Sequence, residues 1–352
     1  MHHNILLTGV SGYLGGTLLA NLATAALPPY SQVFALVRSD SQAEAVLASS
    51  NATPLVFDVG DAAAVRDAVT GNDITIVVFC IDAIKSVTQS YMIKALSEVK
   101  ERTGKDVHFI HTSGAKLFSS HAGAPTNRTL MDDETGIHEI HKTQRAVIPA
   151  VQPAIETNIT VVELAERLGV YAYVFVPCVV YGEGSGFGNH ISIQTAAICR
   201  AAKAVRRVHS VDAGNPTWPV SHITDTTNLY ISILHAILSG PQTLPPHGRS
   251  GYYLAASGSV AWLDLYAAMA RALARRGIVD DDKVVPATPE TIERMATALQ
   301  CPVEVVALQI GGCCTFTARN GSNIGWKPVY EPEHVLEAAT KEVDLVLANW
   351  KG

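Results

Sequence analysis

The first part of the chain alternates short apolar runs with stretches whose apolar residues recur three or four positions apart. Each apolar run is only a few residues long and is rich in β-branched side chains, as in strands that are buried on both faces. The stretches between the runs have helical spacing. The five predicted strands are 5–7, 32–38, 53–57, 74–80 and 107–111.

The same alternation continues more loosely after the fifth strand. A sixth strand is predicted at 170–180 and a late one at 252–255, while residues 137–168 read as a helix interrupted at Pro149 and Pro153. Strands that alternate with helices predict an α/β fold with a right-handed, doubly wound parallel sheet. Ligands of such sheets bind beyond the carboxyl ends of the strands, so we expect the functional site there.

The first predicted strand runs directly into a glycine-rich turn. The stretch Gly9-Val10-Ser11-Gly12-Tyr13-Leu14-Gly15 follows it, and helical spacing begins after Gly12. A helix start presents free N–H groups and a positive dipole end, and glycine lets an anion approach the backbone closely. The pattern is Gly-x-x-Gly-x-x-Gly and not the general Gly-x-Gly-x-x-Gly. It predicts a turn that binds the phosphates of a dinucleotide, although a strand–turn–helix without a ligand fits the same pattern.

The second predicted strand ends in Arg38-Ser39. In a nucleotide-binding unit this strand end lies beside the adenosine ribose, where an acidic residue binds the free 2′-hydroxyl of NAD. An arginine suits the 2′-phosphate of NADP instead. Arg38 also fits an ordinary solvated side chain, but with the glycine turn before it the sequence favours NADP(H).

Composition and charge exclude several classes of protein. The chain has 352 residues, of which 48% are hydrophobic and 16% charged, and its net charge is −6, which fits a globular enzyme and argues against a nucleic-acid surface. No apolar stretch reaches the length of a membrane span. Six cysteines without zinc or disulfide spacing are expected to be reduced. The first strand leaves no room for a signal peptide, so a cytoplasmic protein without membrane or nucleic-acid partners is expected.

Several motifs along the chain together resemble the short-chain dehydrogenase/reductase superfamily, in its extended or atypical type that includes NAD-dependent epimerases and dehydratases. The resemblance covers most of the chain. It implies a Rossmann-type dinucleotide-binding domain at 1–180, with return segments at about 208–238 and 251–257, and a smaller, interleaved substrate-binding region at 181–352. The matching segments are Thr8 to Gly15, Asp58, Thr112-Ser113, Pro177 to Gly182, Trp218 to Asp225, and Gly325-Trp326-Lys327-Pro328.

The resemblance also implies roles for individual residues. Ser113 would hydrogen-bond a substrate carbonyl oxygen and stabilise the charge that grows on it, although a serine at a strand end also fits a turn cap. The implied cofactor contacts are Gly9, Ser11, Gly12, Tyr13, Leu14 and Gly15 at the pyrophosphate, Arg38 and Ser39 at the 2′-phosphate, Asp58 and Val59 at the adenine, Cys80 and Asp82 near the middle of the cofactor, Lys142 at the ribose, and Pro177 and Val180 at the nicotinamide.

One expected feature of the superfamily is missing, because no tyrosine occurs between Tyr91 and Tyr171 to begin a Tyr-x-x-x-Lys motif. Lys142 fits the lysine, and His138 then stands where the tyrosine would be, one helical turn earlier on the same face. Histidine can transfer a proton near neutral pH. His138 could equally be a surface helix residue, with the usual acid simply lost.

Two further features leave alternatives open. Asp82 fits a catalytic carboxylate, a ribose contact or a helix-capping residue, and the last two are favoured. His138 and His141, with Asp132 or Asp133 nearby, lack a strong third ligand, so no metal site is predicted.

The leading hypothesis from the sequence is an NADP(H)-dependent oxidoreductase that acts on a carbonyl or alcohol of a small, fairly apolar molecule. Ser113, His138 and Lys142 would be its catalytic residues, and Tyr181, Phe187 and the segment around Trp218 would line its pocket. The alternatives are a non-redox isomerase, dehydratase or cyclase on the same fold, and a regulatory protein that binds dinucleotide without turnover. A homodimer is expected from the resemblance alone.

Overall fold

The structure is a computed structural model that describes residues 2–134 and 136–350. The strands in these ranges are β1 (Asn4–Leu7), β2 (Gln32–Val37), β3 (Thr53–Val56), β4 (Ile74–Phe79), β5 (His108–Thr112), β6 (Leu130–Met131), β7 (Tyr171–Pro177), β8 (Val179–Tyr181), β9 (Val208–Ser210), β10 (Thr217–His222), β11 (Tyr252–Ala255), β12 (Gly258–Ala261), β13 (Val284–Pro286) and β14 (Phe316–Thr317).

The α-helices alternate with the strands in the first part of the chain and dominate the last part. They are α1 (Tyr13–Leu22), α2 (Asp40–Ser49), α3 (Ala62–Gly71), α4 (Val87–Thr103), α5 (Ile137–Thr143), α6 (Gln152–Arg167), α7 (Ile193–Val205), α8 (Ile223–Leu238), α9 (Trp262–Ala274), α10 (Pro289–Leu299), α11 (Val306–Ile310), α12 (Arg319–Asn323) and α13 (His334–Ala348). Among the described helices, none is both long and apolar enough to cross a membrane.

Seven strands form one parallel sheet in the order β11-β7-β5-β4-β1-β2-β3. Helices cover both faces, with α1 and α8 contributing apolar side chains to one core and α3, α4 and α6 to the other. Every residue of β4 is buried, which explains why this strand reads as a continuous apolar run. The predicted doubly wound α/β fold is confirmed.

All strands of this sheet are parallel, but the direction in which successive strands are added to the sheet reverses between β3 and β4. The chain builds outward from β1 to β3, then returns to place β4 on the other side of β1. A hydrogen bond ties the two strand ends together, because the Cys80 N–H donates to the Thr8 hydroxyl at 2.9 Å. This reversal opens a crevice beyond the carboxyl ends of the strands, the usual ligand position in such folds.

The predicted sixth strand is two strands. It breaks at Cys178, and β8 leaves the seven-stranded sheet to pair with β10, which also pairs with β12. Pro177 has no N–H to continue the ladder, and the thiol of Cys178 lies 3.1 Å from the Ala255 carbonyl. The prediction of one strand over 170–180 is therefore wrong at this break, and the proposed domain boundaries stay a prediction.

The long predicted helix is interrupted at Pro149, as expected. Pro149 lies in a 3₁₀ turn at Pro149–Val151 that separates α5 from α6. Pro153 does not interrupt α6, because it stands in the first helical turn, where its missing N–H costs no hydrogen bond. As a result, 137–167 contains two separately packed helices.

Candidate active site

The glycine turn is shaped by close backbone contacts. Gly9 has a φ of +67°, and a Cβ there would lie 2.6 Å from the carbonyl oxygen of Cys80. A Cβ on Gly15 would lie 2.5 Å from the Gly9 oxygen. Gly12 caps α1 without a side-chain hydrogen bond, which leaves the first N–H groups of the helix open to an anion. The turn therefore fits the phosphates of a dinucleotide.

A cavity of about 680 Å³ begins at this turn and extends past the ends of β5 and β7. This volume lies within the usual range for small-molecule sites. Its predicted members are Gly9, Gly12, Tyr13, Leu14, Gly15, Cys80, Ser113, Pro177, Val180 and Trp218. The cavity also contains residues that the sequence analysis did not single out, notably Lys116, Leu117, Ala150, Val151, Ala154, Ser192, Gln194, Val305 and Leu308.

Ser113 stands in this cavity immediately after β5. Its backbone N–H donates to the Phe175 carbonyl at 2.7 Å, which fixes the residue against β7. Its side chain is buried, and the hydroxyl has no hydrogen-bond partner among the described residues. A buried hydroxyl without a partner is costly, so this hydroxyl is available to a bound molecule and does not act as a turn cap.

Cys80 forms part of the cavity wall near the turn. Its sulfur lies 3.2 Å from the Thr112 hydroxyl oxygen, which in turn lies 2.7 Å from that of Tyr230. Burial raises the pKa of the Cys80 thiol to about 11. The thiol is therefore neutral near pH 7, and Cys80 contributes shape here and no thiolate chemistry.

Asp82 caps a turn. Its carboxylate accepts a hydrogen bond from the Ile84 N–H at 2.7 Å, and its carbonyl accepts one from the Gln89 side chain. Asp82 does not line the cavity. Asp82 therefore stabilises a turn before α4 and does not cap that helix, whose N-cap is Ser86, while a ribose contact stays a prediction.

The residues predicted to contact the adenosine end lie outside the cavity. Arg38 is exposed after β2, and its guanidinium forms no ion pair with the described residues. Ser39 caps α2 by accepting the Gln42 N–H, and the Asp58 carboxylate accepts the Gly60 N–H after β3. Val59 packs partly buried against the core. These positions flank the glycine turn along the same sheet edge, and their nucleotide contacts stay predictions.

The structure does not bring His138 and Lys142 to the cavity. The His138 ring nitrogen Nδ1 lies 2.9 Å from the hydroxyl oxygen of Tyr252, and Lys142 Nζ lies 3.0 Å from the Glu163 carboxylate. Glu163 is nine residues beyond the cavity residue Ala154, or about 13 Å further along α6.

Tyr252, the residue that contacts His138 of α5, is also remote from the strand ends that line the cavity. Tyr252 is the first residue of β11, and the cavity residue Pro177 pairs with Ala255 at its last residue, about 10 Å away along the strand. His138 is also fully buried, so it is not the surface residue considered above. The catalytic roles predicted for His138 and Lys142 do not fit this placement.

The start of α6 occupies the place that the sequence analysis gave to α5. Ala150 and Ala154 lie four residues apart, as in the expected Tyr-x-x-x-Lys motif, and both face the cavity together with Val151. Alanine can neither donate a proton nor bind a ribose hydroxyl. The 3₁₀ turn at Pro149–Val151 and the start of α6, which line the cavity together with Ser113, therefore contribute no acid–base group to it.

The glycine-rich segment after β8 packs on the opening turn and α1. A Cβ on Gly186 would lie 2.6 Å from the Gly16 backbone, and the Asn189 N–H donates to the Ser11 carbonyl at 3.0 Å. Phe187 and Tyr181 do not line the cavity. Of the three predicted wall segments, only the one around Trp218 is placed there.

Ser192 and Lys116 are two of the polar cavity residues that sequence reasoning missed, and Asn189, Gln194 and Gln309 are the others. The Ser192 hydroxyl is buried without a partner, although Ser192 is the N-cap of α7. Lys116 lies in a 3₁₀ turn, Ala115–Phe118, just after Ser113. The only indication in the sequence that Lys116 lines the cavity is its position three residues after Ser113, which follows a predicted strand.

Comparison with known proteins agrees with this geometry. Residues 9–148 match a family model described as NAD(P)H-binding. No curated protein sequence is significantly similar to the chain.

Solved structures of similar fold cover nearly the whole chain. A dTDP-glucose 4,6-dehydratase from Bacillus anthracis, in complex with NAD, is 12% identical, with 97% of this chain and 96% of that chain covered and a TM-score of 0.63. A UDP-glucuronic acid 4-epimerase from Bacillus cereus is also 12% identical, over 99% and 100% of the two chains, with a TM-score of 0.63. A UDP-glucose 4-epimerase from Bifidobacterium longum is 14% identical over 98% of each chain, with a TM-score of 0.61.

These likenesses concern the fold and one part of the chain. The chain has the fold of these dehydratase and epimerase structures, and residues 9–148 match an NAD(P)H-binding family model, in agreement with the predicted resemblance.

Proposed function

We propose that this protein is an NADP(H)-dependent oxidoreductase that acts on a carbonyl or alcohol of a small, fairly apolar molecule. The observation that carries the proposal is the Ser113 hydroxyl, which is buried without a partner in a cavity that begins at the glycine turn. A nicotinamide cofactor supplies or accepts a hydride when it is bound.

Each part of the cavity has a role in this proposal. The turn at Gly9, Gly12 and Gly15 holds the phosphates, and Pro177 and Val180 face the nicotinamide end. Ser113 donates its hydroxyl hydrogen to the substrate oxygen and stabilises negative charge there during reduction. Ala150 and Ala154 cannot supply the proton that completes the alcohol, so in this proposal the proton comes from water.

The preference for NADP(H) rests on Arg38. Its exposed guanidinium stands after β2 beside the expected 2′-phosphate position and has no acidic partner among the described residues. We expect Arg38→Ala to weaken NADPH binding by about tenfold and to leave NADH binding unchanged, since a charge-assisted hydrogen bond would be lost. Arg275→Ala, at the end of α9, is the control. Equal affinity for both nucleotides in the unaltered protein would remove the assignment.

A dinucleotide-binding protein without turnover is the second candidate. The pair Ala150 and Ala154 favours it, because the cavity lacks the tyrosine and lysine expected at this spacing. The two candidates differ in one measurement. NADPH incubated with the protein and a panel of aldehydes and ketones should lose its absorbance only if the first proposal is right. Binding of NADPH without oxidation by any member of the panel would favour the second.

A further inference from the structure

Much of the cavity wall beyond the residues of the glycine turn is apolar. Leu117, Trp218, Val305 and Leu308 contribute side chains to it. Such a wall suits a hydrocarbon or aromatic group. It offers little to a sugar or another strongly polar molecule.

One cation interrupts this apolar surface. Lys116 is the only charged side chain among the described residues that line the cavity, and among those residues its ammonium, on a partly buried side chain, has no ion-pair or hydrogen-bond partner. Burial lowers the pKa of Lys116 to about 8, so the side chain is still mainly a cation at pH 7. A partly buried cation without a counter-ion attracts an anionic group of a ligand, because the ion pair would offset part of the cost of its desolvation.

The start of α7 provides a second, independent indication. Ser192 is 1% exposed, it lines the same cavity, and its hydroxyl has no partner. Although it is the N-cap of this 13-residue helix, its side chain accepts no hydrogen bond from the first helical turn. The free hydroxyl, the uncapped N–H groups and the positive end of the helix dipole all favour an anion.

We propose that the cavity takes a molecule with an apolar body and one carboxylate, which is bound by Lys116 and the start of α7 at Ser192. The apolar body then packs against Trp218 and Leu308. That such a carboxylic acid is the substrate rests on the proposed function, whereas its binding requires no nucleotide.

The test compares a carboxylate with a neutral isostere in the absence of nucleotide. Binding of 3-phenylpropanoate and of 3-phenylpropanamide to the full chain is measured by calorimetry at neutral pH. We expect the carboxylate to bind about tenfold more tightly or better, since hydrogen bonds to charged groups are the stronger ones. Lys116→Met should make the two affinities equal, and Lys116→Arg should retain the preference for the carboxylate.

Matched variants separate binding from folding. Lys94→Met removes an exposed lysine from the outer face of α4 and should leave the preference unchanged. Ser192→Ala should reduce it in part. Thermal unfolding establishes that each variant is folded. Absence of carboxylate binding to the unaltered protein, or an undiminished preference in a folded Lys116→Met variant, would overturn the proposal.

A parallel titration with NADPH keeps the two proposals apart. Lys116→Met should bind NADPH like the unaltered protein. If the carboxylate preference holds but NADPH does not bind, the proposed function fails and this site stands. If NADPH binds without any carboxylate preference, the site fails and the proposed function stands.

Discussion

Helix α5 and the start of α6 differ in a way that decides where chemistry can occur. Helix α5 carries His138, His141 and Lys142, whose side chains could transfer protons, but it packs against α6 and the first residue of β11. The 3₁₀ turn before α6 and the first turn of α6 line the cavity through Ala150 and Ala154. Of these two helical segments, the one with residues that could transfer protons thus lies outside the cavity, and the one that lines the cavity carries alanines.

The difference teaches that buried histidines need not be catalytic. His141 Nε2 lies 2.9 Å from the Asn158 side-chain amide on α6, and the His138 ring lies beside the Tyr252 hydroxyl. These hydrogen bonds join α5 to the rest of the molecule. Unpartnered atoms among the described residues occur in both regions, at His138 Nε2 and His141 Nδ1 and at the Ser113 and Ser192 hydroxyls, but only the two hydroxyls line the cavity, where a ligand can reach them.

The largest expected effect is a loss of folding stability in acid that is caused by two buried histidines, His111 and His141. Burial lowers the pKa of His111 and of His141 to about 4, below their ordinary value of 6.5. The unfolded chain therefore takes up protons first as the pH falls, so stability is complete above pH 6.5 and decreases toward pH 4. Each of the two histidines should lower the free energy of unfolding by on the order of 3 kcal/mol as the pH falls from 6.5 to 4.

Urea unfolding at neutral and at mildly acidic pH measures this loss. His141→Gln keeps an acceptor for Asn158 but cannot be protonated, so its stability should fall less steeply with pH than that of the unaltered protein. An identical pH dependence in His141→Gln would contradict the assignment of this effect to His141.

Ser113→Ala tests the cavity side of the comparison. If the proposed function is right, turnover should fall by about 100-fold, since one hydrogen bond to the developing charge is lost. NADPH binding, measured by calorimetry, should not change. His138→Phe, assayed at a temperature where the variant is folded, should keep turnover within about twofold, because His138 lies outside the cavity. The reverse pattern would restore His138 as the acid.

His138→Phe should instead reduce stability. The change leaves the buried Tyr252 hydroxyl without its partner, which we expect to cost about 1–3 kcal/mol in the free energy of unfolding. The double variant with Tyr252→Phe removes both polar groups and should recover part of that loss. Additive losses in the double-mutant cycle would show that the two side chains do not interact.

The smallest effect is expected for Lys142→Met. The ion pair with Glu163 is more than one-third exposed on both sides, so its removal should cost less than about 1 kcal/mol. Lys142 lowers the pKa of the Glu163 carboxyl, and its contribution is therefore present at neutral pH and lost in acid. A loss of NADPH binding in this variant would return Lys142 to the cofactor site.

The sequence predicted features that depend on neighbouring residues or on the overall hydrophobicity of a segment. The strands of the parallel sheet were found because burial on both faces requires continuous apolar runs such as Ile74–Phe79. The glycine turn was predicted because a Cβ at Gly9 or Gly15 would clash with the backbone, so these positions require glycine and can be recognised in the sequence.

The rest depends on long-range packing. Spacing correctly placed His138 and Lys142 on one helix, but it could not tell which helix would face Ser113, since that choice depends on how α5 and α6 pack after the break at Pro149. Lys116 and Ser192 were missed for a related reason. Nothing local indicates that a lysine and a serine so distant in sequence line one cavity.

The contact between the glycine-rich segment after β8 and the opening turn has a mechanical consequence. The Asn189 N–H binds the Ser11 carbonyl, and Ser192, three residues further on, begins α7. The nucleotide turn and the proposed carboxylate anchor at Ser192 thus belong to neighbouring segments of backbone that are hydrogen-bonded to each other. We therefore expect a bound nucleotide to fix the position of the start of α7, and with it the position of a carboxylate bound there.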